Sequence, residues 1–242
     1  MAAIQTISLC KKFKKRQAVD HLDLSIEKGE LFALLGLNGA GKTTTIKMLC
    51  CLLTPTSGDA VLLGDSIVTH PAAVKQKINL SPQETAVAPN LTVEENLEFI
   101  ARIYGLRKSA AHIKAEATML TFGLADRARD KAKTLSGGLQ RRLSIAMALI
   151  SNPEIVFLDE PTLGLDVVAR RELWKLMLSL KGKITVVLTT HYLEEAEALS
   201  DRVGIIDKGQ LIALGTTEQL KQASGQTSFE DAFLMLTHSV IR

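Results

Sequence analysis

Leu31-Phe32-Ala33-Leu34-Leu35-Gly36-Leu37-Asn38-Gly39-Ala40-Gly41-Lys42-Thr43-Thr44 opens with five apolar residues and closes in a glycine-rich loop. An apolar run without alternation suits a strand buried on both faces. The eight residues from Gly36 to Thr43 match G-x-x-x-x-G-K-[ST], and a helical pattern over residues 44–49 follows. Glycines let the backbone wrap closely around phosphate with its N–H groups pointing inward. The helix start adds partial positive charge. Gly36, Asn38, Gly39, Ala40, Gly41, Lys42, Thr43 and Thr44 are therefore expected to hold nucleotide phosphates. Lys42 is expected to reach the β- and γ-phosphates, and the Thr43 hydroxyl to ligate Mg²⁺.

Further apolar runs at residues 155–158, 184–188 and 203–206 read as strands of the same kind. Helical patterns separate them: Leu139, Leu143, Ala146 and Ile150 share one face, and residues 169–180 and 192–199 also read as helices. This alternation predicts an α/β domain with crossover connections. Residues 90–132 contain no strand-like run and read as a mostly helical insertion. The chain after Ala223 is Ser/Gly/Gln-rich and then forms a short amphipathic helix at 229–236. No internal repeat or low-complexity linker points to a second full domain.

The run 155–158 ends in Asp159-Glu160. Ligands of open α/β sheets bind at the carboxyl ends of strands, so both acids are expected beside the phosphate loop. Neighbours on a strand point in different directions and take different work. Asp159 is assigned to the Mg²⁺ shell, and Glu160 to polarising the attacking water as general base.

Many phosphate-loop proteins share these two motifs. Leu135-Ser136-Gly137-Gly138, opening a helix through Gln140-Arg141-Arg142, narrows the choice. Here the chain resembles the ABC transporter ATPase family, whose LSGG signature lies shortly before an acidic strand. The resemblance covers residues 3–220. It implies a P-loop NTPase fold, an α/β architecture with a mainly parallel sheet core, N-terminal antiparallel strands and a helical insertion carrying the signature. It implies one ABC ATPase domain over 1–242, with a core at about 1–85 and 150–222, a helical subdomain at about 86–149 and a C-terminal helix at about 227–237. Ser136 and Gly137 resemble a second anion-binding helix start, acting on ATP held by another subunit. Gln83 resembles the glutamine that contacts Mg²⁺ or the attacking water, and His191 the histidine that contacts the γ-phosphate. Phe13 resembles the aromatic that stacks on adenine, and residues 161–166 the loop that crosses to a partner subunit. Leu139 and Leu163 depart from the commonest residues at their positions without touching the chemistry. The tail Thr227-Ser228-Phe229-Glu230-Asp231-Ala232-Phe233-Leu234-Met235-Leu236-Thr237 resembles the ending of the branch serving ABC-2-type drug, antibiotic and sodium exporters.

Composition agrees with one globular domain. The 242 residues are 46% hydrophobic and 23% charged, with a net charge of +3. That charge is too small to imply a nucleic-acid partner. The basic cluster at 11–16 reads as a solvated turn. Cys10, Cys50 and Cys51 fit no metal-ligand spacing and read as buried free thiols in a reducing compartment. The start, Met1-Ala2-Ala3-Ile4-Gln5, lacks the form of a signal peptide. No apolar run approaches the ~18 residues of a membrane span. A transport role then requires a separate membrane-spanning permease, and the family resemblance implies a homodimer of ATPase subunits and a peripheral location on the cytoplasmic face of the membrane. The alternative is a soluble ABC ATPase of DNA repair, chromosomes or ribosomes. The coiled-coil insertions, zinc modules and tandem cassettes of those relatives do not appear.

The motif makes a direct prediction. Lys42→Ala removes the cation facing the β/γ-phosphates, so ATP affinity and hydrolysis both fall. Titration showing unchanged affinity alongside unchanged activity would remove the phosphate-loop assignment.

Overall fold

A computed structural model describes residues 2–238; Met1 and residues 239–242, which the 1–242 domain reading includes, lie outside it. The chain begins with strands β1 (Ala2–Phe13), β2 (Arg16–Leu22) and β3 (Ser25–Glu27), followed by β4 (Leu31–Leu35) and helix α1 (Lys42–Leu49). Next come β5 (Ser57–Leu62), β6 (Asp65–Ser66), α2 (Pro71–Lys77) and β7 (Ile78–Ser81). The insertion supplies α3 (Val93–Ile103), α4 (Lys108–Thr121) and α5 (Gly137–Leu149). The remainder is β8 (Ile155–Asp159), α6 (Val167–Leu180), β9 (Thr185–Thr190), α7 (Leu193–Leu199), β10 (Arg202–Asp207), β11 (Gln210–Gly215), α8 (Thr217–Ser224) and α9 (Phe229–His238).

Two sheets result. One has the order β2-β1-β5-β6 with β3 also on β1, and its pairings are antiparallel. The other has the order β11-β10-β4-β9-β8-β7 and is parallel except for the β10–β11 edge pair. Every residue of β4 and β8 is buried, as their unbroken apolar runs require. The two faces of β4 feed different cores. Phe32 and Leu34 pack with Ile46, Met48 and Leu49 of α1 and with the antiparallel sheet. Leu31, Ala33 and Leu35 pack with α5, α6 and the insertion. Period-two alternation thus makes one strand the wall between two hydrophobic cores.

The parallel register also places the site. Leu35 pairs with Thr190, and Asp159 pairs with Thr189. Ser81 pairs with Leu158. The segments beginning at Gly36, Pro82, Glu160 and His191 therefore leave the sheet on one edge, at nearly one height.

The insertion starts with a capping box: the Thr92 side chain accepts from the Glu95 N–H, and the Glu95 carboxylate accepts from the Thr92 N–H. The expected face of α5 is present, with Leu143, Ala146 and Ile150 buried and Leu139 packed against them.

Some sequence expectations need correction. Residues 11–16 are not a solvated turn as a whole. Lys11 and Phe13 finish β1, Arg16 starts β2, and the Arg16 guanidinium donates to the Gly39 carbonyl at 3.1 Å. The charge count hid this because the acceptor comes from a distant loop. Strand β7 leaves no clear signal in the sequence, since Asn79 and Ser81 break its short apolar pattern. Ile184 falls just before β9, which continues to Thr190 instead. Cys10 and Cys50 are buried free thiols, whereas Cys51 is half-buried.

The start of the phosphate loop is tightly enclosed. A Cβ placed on Gly36 would lie 2.3 Å from the Ile206 carbonyl oxygen and 2.9 Å from the Ile206 Cγ2. Gly36→Ala forces β10 and the loop apart and lowers stability by the ~1–3 kcal/mol of core overpacking. Chemical denaturation measures this; an unchanged midpoint would show that the loop yields freely.

Candidate active site

The loop between β4 and α1 cradles space because its glycines permit close backbone approach. Gly41 adopts φ 110°, and a Cβ there would sit 2.4 Å from the Ala18 carbonyl oxygen. It is also the N-cap of α1 and offers no side-chain cap. The first N–H groups of α1 are thus left for an anion.

A cavity of about 460 Å³ lies over this helix start. It is lined by Phe13, Asn38, Gly39, Gly41, Lys42, Thr43, Thr44, Gln83, Glu160 and His191, all singled out from the sequence. Arg16, Ala18 and Leu163 also line it and were not anticipated. Gly36, Ala40 and Asp159 sit behind this lining and shape it. Phe13 is exposed rather than part of the core, with the Lys11 ammonium 5.3 Å from its ring centre.

Within the lining, charges are paired one by one. The Lys42 Nζ donates to the carbonyls of Gly36 at 2.7 Å and Leu37 at 3.3 Å, and it lies 3.1 Å from the Glu160 Oε1. The Glu160 Oε2 is 2.8 Å from the His191 Nδ1. Lys42 and Glu160 are each only 5% exposed, so separating them without a replacement partner would strand a buried charge. The Asp159 Oδ1 accepts hydrogen bonds from the Thr43 hydroxyl at 3.1 Å and the Thr189 hydroxyl at 2.6 Å. A hydroxyl, a carboxylate and the Gln83 amide form a hard oxygen-donor set that suits Mg²⁺.

Glu160 carries backbone strain. Its φ is 49°, uncommon for a non-glycine residue and concentrated at functional sites. Its N–H donates to the Thr189 hydroxyl at 3.0 Å, which helps to hold that conformation. Behind this residue lies Arg141, whose buried guanidinium donates to the carbonyls of Asp159, Glu160 and Pro161 and to those of Pro82 and Gln83. Glu195 is fully buried on α7, and its Oε1 accepts from the Trp174 indole at 3.1 Å. Burial pushes its carboxyl above the ordinary range, against the hydrogen bonds it accepts. No short motif announces either residue, since their partners come from separate segments.

The signature residues stand apart. Leu135 is buried, whereas Ser136 and Gly137 are exposed and do not line the cavity. Ser136 caps α5, its hydroxyl accepting from the Leu139 N–H at 3.4 Å. Gly138 packs so closely that an added Cβ would lie 2.9 Å from the Ala169 Cβ.

A glycine-rich strand–loop–helix cradle, an acidic pair at the end of β8, which β9 separates from β4 in the parallel sheet, and a helical insertion between them in the chain define a P-loop NTPase domain. The family profile described as "ABC transporter" matches residues 19–163. The chain is 40% identical to the linearmycin resistance ATP-binding protein LnrL of Bacillus subtilis, over 98% of this chain and 79% of that one. It is 42% identical to the probable multidrug ABC transporter ATP-binding protein YbhF of Escherichia coli, over 97% of this chain. It spans only 42% of YbhF's length. The fold is similar to the dimeric structure of a post-hydrolysis state of the ATP-binding cassette MJ0796 bound to ADP and Pi. The TM-score is 0.81, at 25% identity over 88% of this chain and 98% of that one. The chain belongs to the ABC transporter family.

Phe13 gives a test of base binding. Stacking on its ring is tolerant of base identity, so ATP is preferred and GTP accepted weakly. Phe13→Ala weakens nucleotide binding by the ~1–3 kcal/mol typical of base stacking. Equal dissociation constants for the two proteins would return Phe13 to a purely structural role.

Proposed function

We propose that this chain hydrolyses Mg-ATP in the cavity over α1 and powers substrate export through a separate membrane-spanning permease. The alignment of Lys42, Glu160 and His191 in one contact chain beside the Thr43–Asp159 pair carries this reading. Lys42, released from the Gly36 and Leu37 carbonyls, would bind the β/γ-phosphates. That exchange also frees the Glu160 carboxylate. Glu160 then accepts a proton from the water that attacks the γ-phosphorus, and the β–γ bridging oxygen leaves with ADP. His191 would orient Glu160 and meet the γ-phosphate, and Phe13 would stack on adenine. Mg²⁺, held by Thr43 and Gln83 and by Asp159 directly or through water, would neutralise charge on the phosphates.

We read the chain as one ATPase domain, with a core at about 1–85 and 150–222, a helical unit at about 86–149 and a C-terminal helix at about 227–237. Leu135, Ser136, Gly137 and Gly138 would act on the ATP of a second copy, because Ser136 and Gly137 lie outside their own chain's cavity. Two copies packed head to tail then bury two nucleotides. The names of LnrL and YbhF, in linearmycin resistance and multidrug transport, support export as the direction. No helix among the described residues is long and apolar enough to cross a membrane, so the permease is a separate chain in this reading. An open apolar groove of about 510 Å³, lined by Leu52, Ile78, Leu80, Pro82, Ala86 and Tyr104, is the surface we assign to it. The groove adjoins Gln83, so docking there bears on the hydrolytic site. The chain would then work as a peripheral subunit on the cytoplasmic face of the membrane.

Glu160→Gln tests the reading. The variant keeps ATP binding and loses ~10²–10⁴ in turnover, as loss of a general base predicts. Light scattering then finds a dimer with ATP, a monomer with ADP, and a monomer when Ser136→Arg is added. Near-normal hydrolysis would remove Glu160 from its role, and a dimer indifferent to nucleotide and to Ser136→Arg would overturn the shared-ATP arrangement.

A further inference from the structure

Arg141 stands five residues after the Ser136 cap of α5, inside the protein, and is 6% exposed. A guanidinium has five N–H donors in a rigid fork, and here each meets a backbone carbonyl. Its Nε donates to Pro161 O at 2.8 Å. One terminal nitrogen donates to Pro82 O and, at 3.2 Å, to Gln83 O. The other donates to Asp159 O at 2.8 Å and Glu160 O at 2.6 Å. No carboxylate forms an ion pair with it among the described residues. Consecutive carbonyls of an extended strand point in opposite directions, so Asp159 and Glu160 can share one nitrogen only if the chain leaves the strand conformation at Glu160. The φ of 49° at Glu160 is that departure.

We infer that Arg141 is a positioning residue for hydrolysis: its fork fixes the Gln83 and Glu160 backbones to the helix that begins at the signature. The fork ties three segments from different parts of the chain, each carrying part of the proposed chemistry. Movement of α5 relative to the parallel sheet therefore moves Gln83 or Glu160 as well. Lysine keeps the charge but has three donors and no planar fork, so it cannot replace this arrangement. The inference rests on hydrolysis at the Glu160 site.

The test uses the full chain as wild type, Arg141→Lys, and Arg141→Ala with and without millimolar methylguanidinium. It reads steady-state hydrolysis, binding of a fluorescent ATP analogue and melting temperature. Misplacement of reacting groups predicts kcat at least about tenfold lower in both variants, with nucleotide affinity within about threefold of wild type. Methylguanidinium restores part of kcat to Arg141→Ala and none to Arg141→Lys, whose side chain fills the space. Unchanged kcat overturns the inference. So does a parallel fall of kcat, affinity and melting temperature without rescue, or failure of both variants to fold, because Arg141 then only supports the fold. A wild-type chain that binds the analogue without hydrolysing ATP would instead overturn the ATPase reading.

Discussion

Parallel pairing of β4 with β9, and of β9 with β8, is the constraint on which the site depends. Parallel strands share one direction, so their carboxyl ends reach the same edge of the sheet. Leu35, Thr190 and Asp159 end within a residue of one another in register. The side chains that follow, from the phosphate loop to Glu160 and His191, thereby meet within hydrogen-bonding distance. A slip of one residue in β8 would turn Asp159 away from Thr43 and exchange its place with that of Leu158. Burial of all five residues of β8 between two hydrophobic cores resists such a slip.

Electrostatics supplies the second layer. The cavity holds a buried cation and a buried carboxylate that satisfy one another, with the Gly36 and Leu37 carbonyls and His191 as their further partners. Such a pair contributes little net stability, because desolvation offsets attraction. It does hold both side chains in place until a ligand of suitable charge replaces the contact. A triphosphate with its cation offers that exchange, since it presents negative charge to Lys42 while the loop N–H groups receive the phosphates. The strain at Glu160 is sustained by bonds on both sides: its N–H donates to the Thr189 hydroxyl, and its carbonyl accepts from the Arg141 guanidinium.

The insertion is connected to this centre through few polar contacts. Its hydrophobic residues join the core beneath β4 and β8, while Arg141 reaches the backbones beside Gln83 and Glu160. The apolar groove near Tyr104 and Pro82 lies on the same boundary. Ser136 and Gly137, at the exposed start of α5, lie outside the lining of the chain's own cavity. A helix with an exposed start at one end and a buried fork one turn further on is well placed to link an outside contact to the backbone around Gln83 and Glu160.

The fold class was legible because unbroken apolar runs and helical spacing are local consequences of burial. The phosphate loop was legible because strand, loop and helix follow one another within a single stretch, so residue types at fixed spacing already specify the backbone. The antiparallel strands came through family resemblance, since they have no pattern that stands by itself, and the proposed partner role of the signature rests on the same resemblance. What the sequence by itself determined was therefore the local structure: a glycine-rich loop ending in Lys42 and Thr43, an acidic strand end at Asp159 and Glu160, and the helix cap at Ser136. Tertiary structure alone decided that Lys42 rests on Glu160, that Arg16 docks on Gly39, and that Arg141 spends its whole fork on five carbonyls. Each of those bonds joins groups far apart in the chain, and only packing of the two cores and the register of the parallel sheet brings such groups within reach.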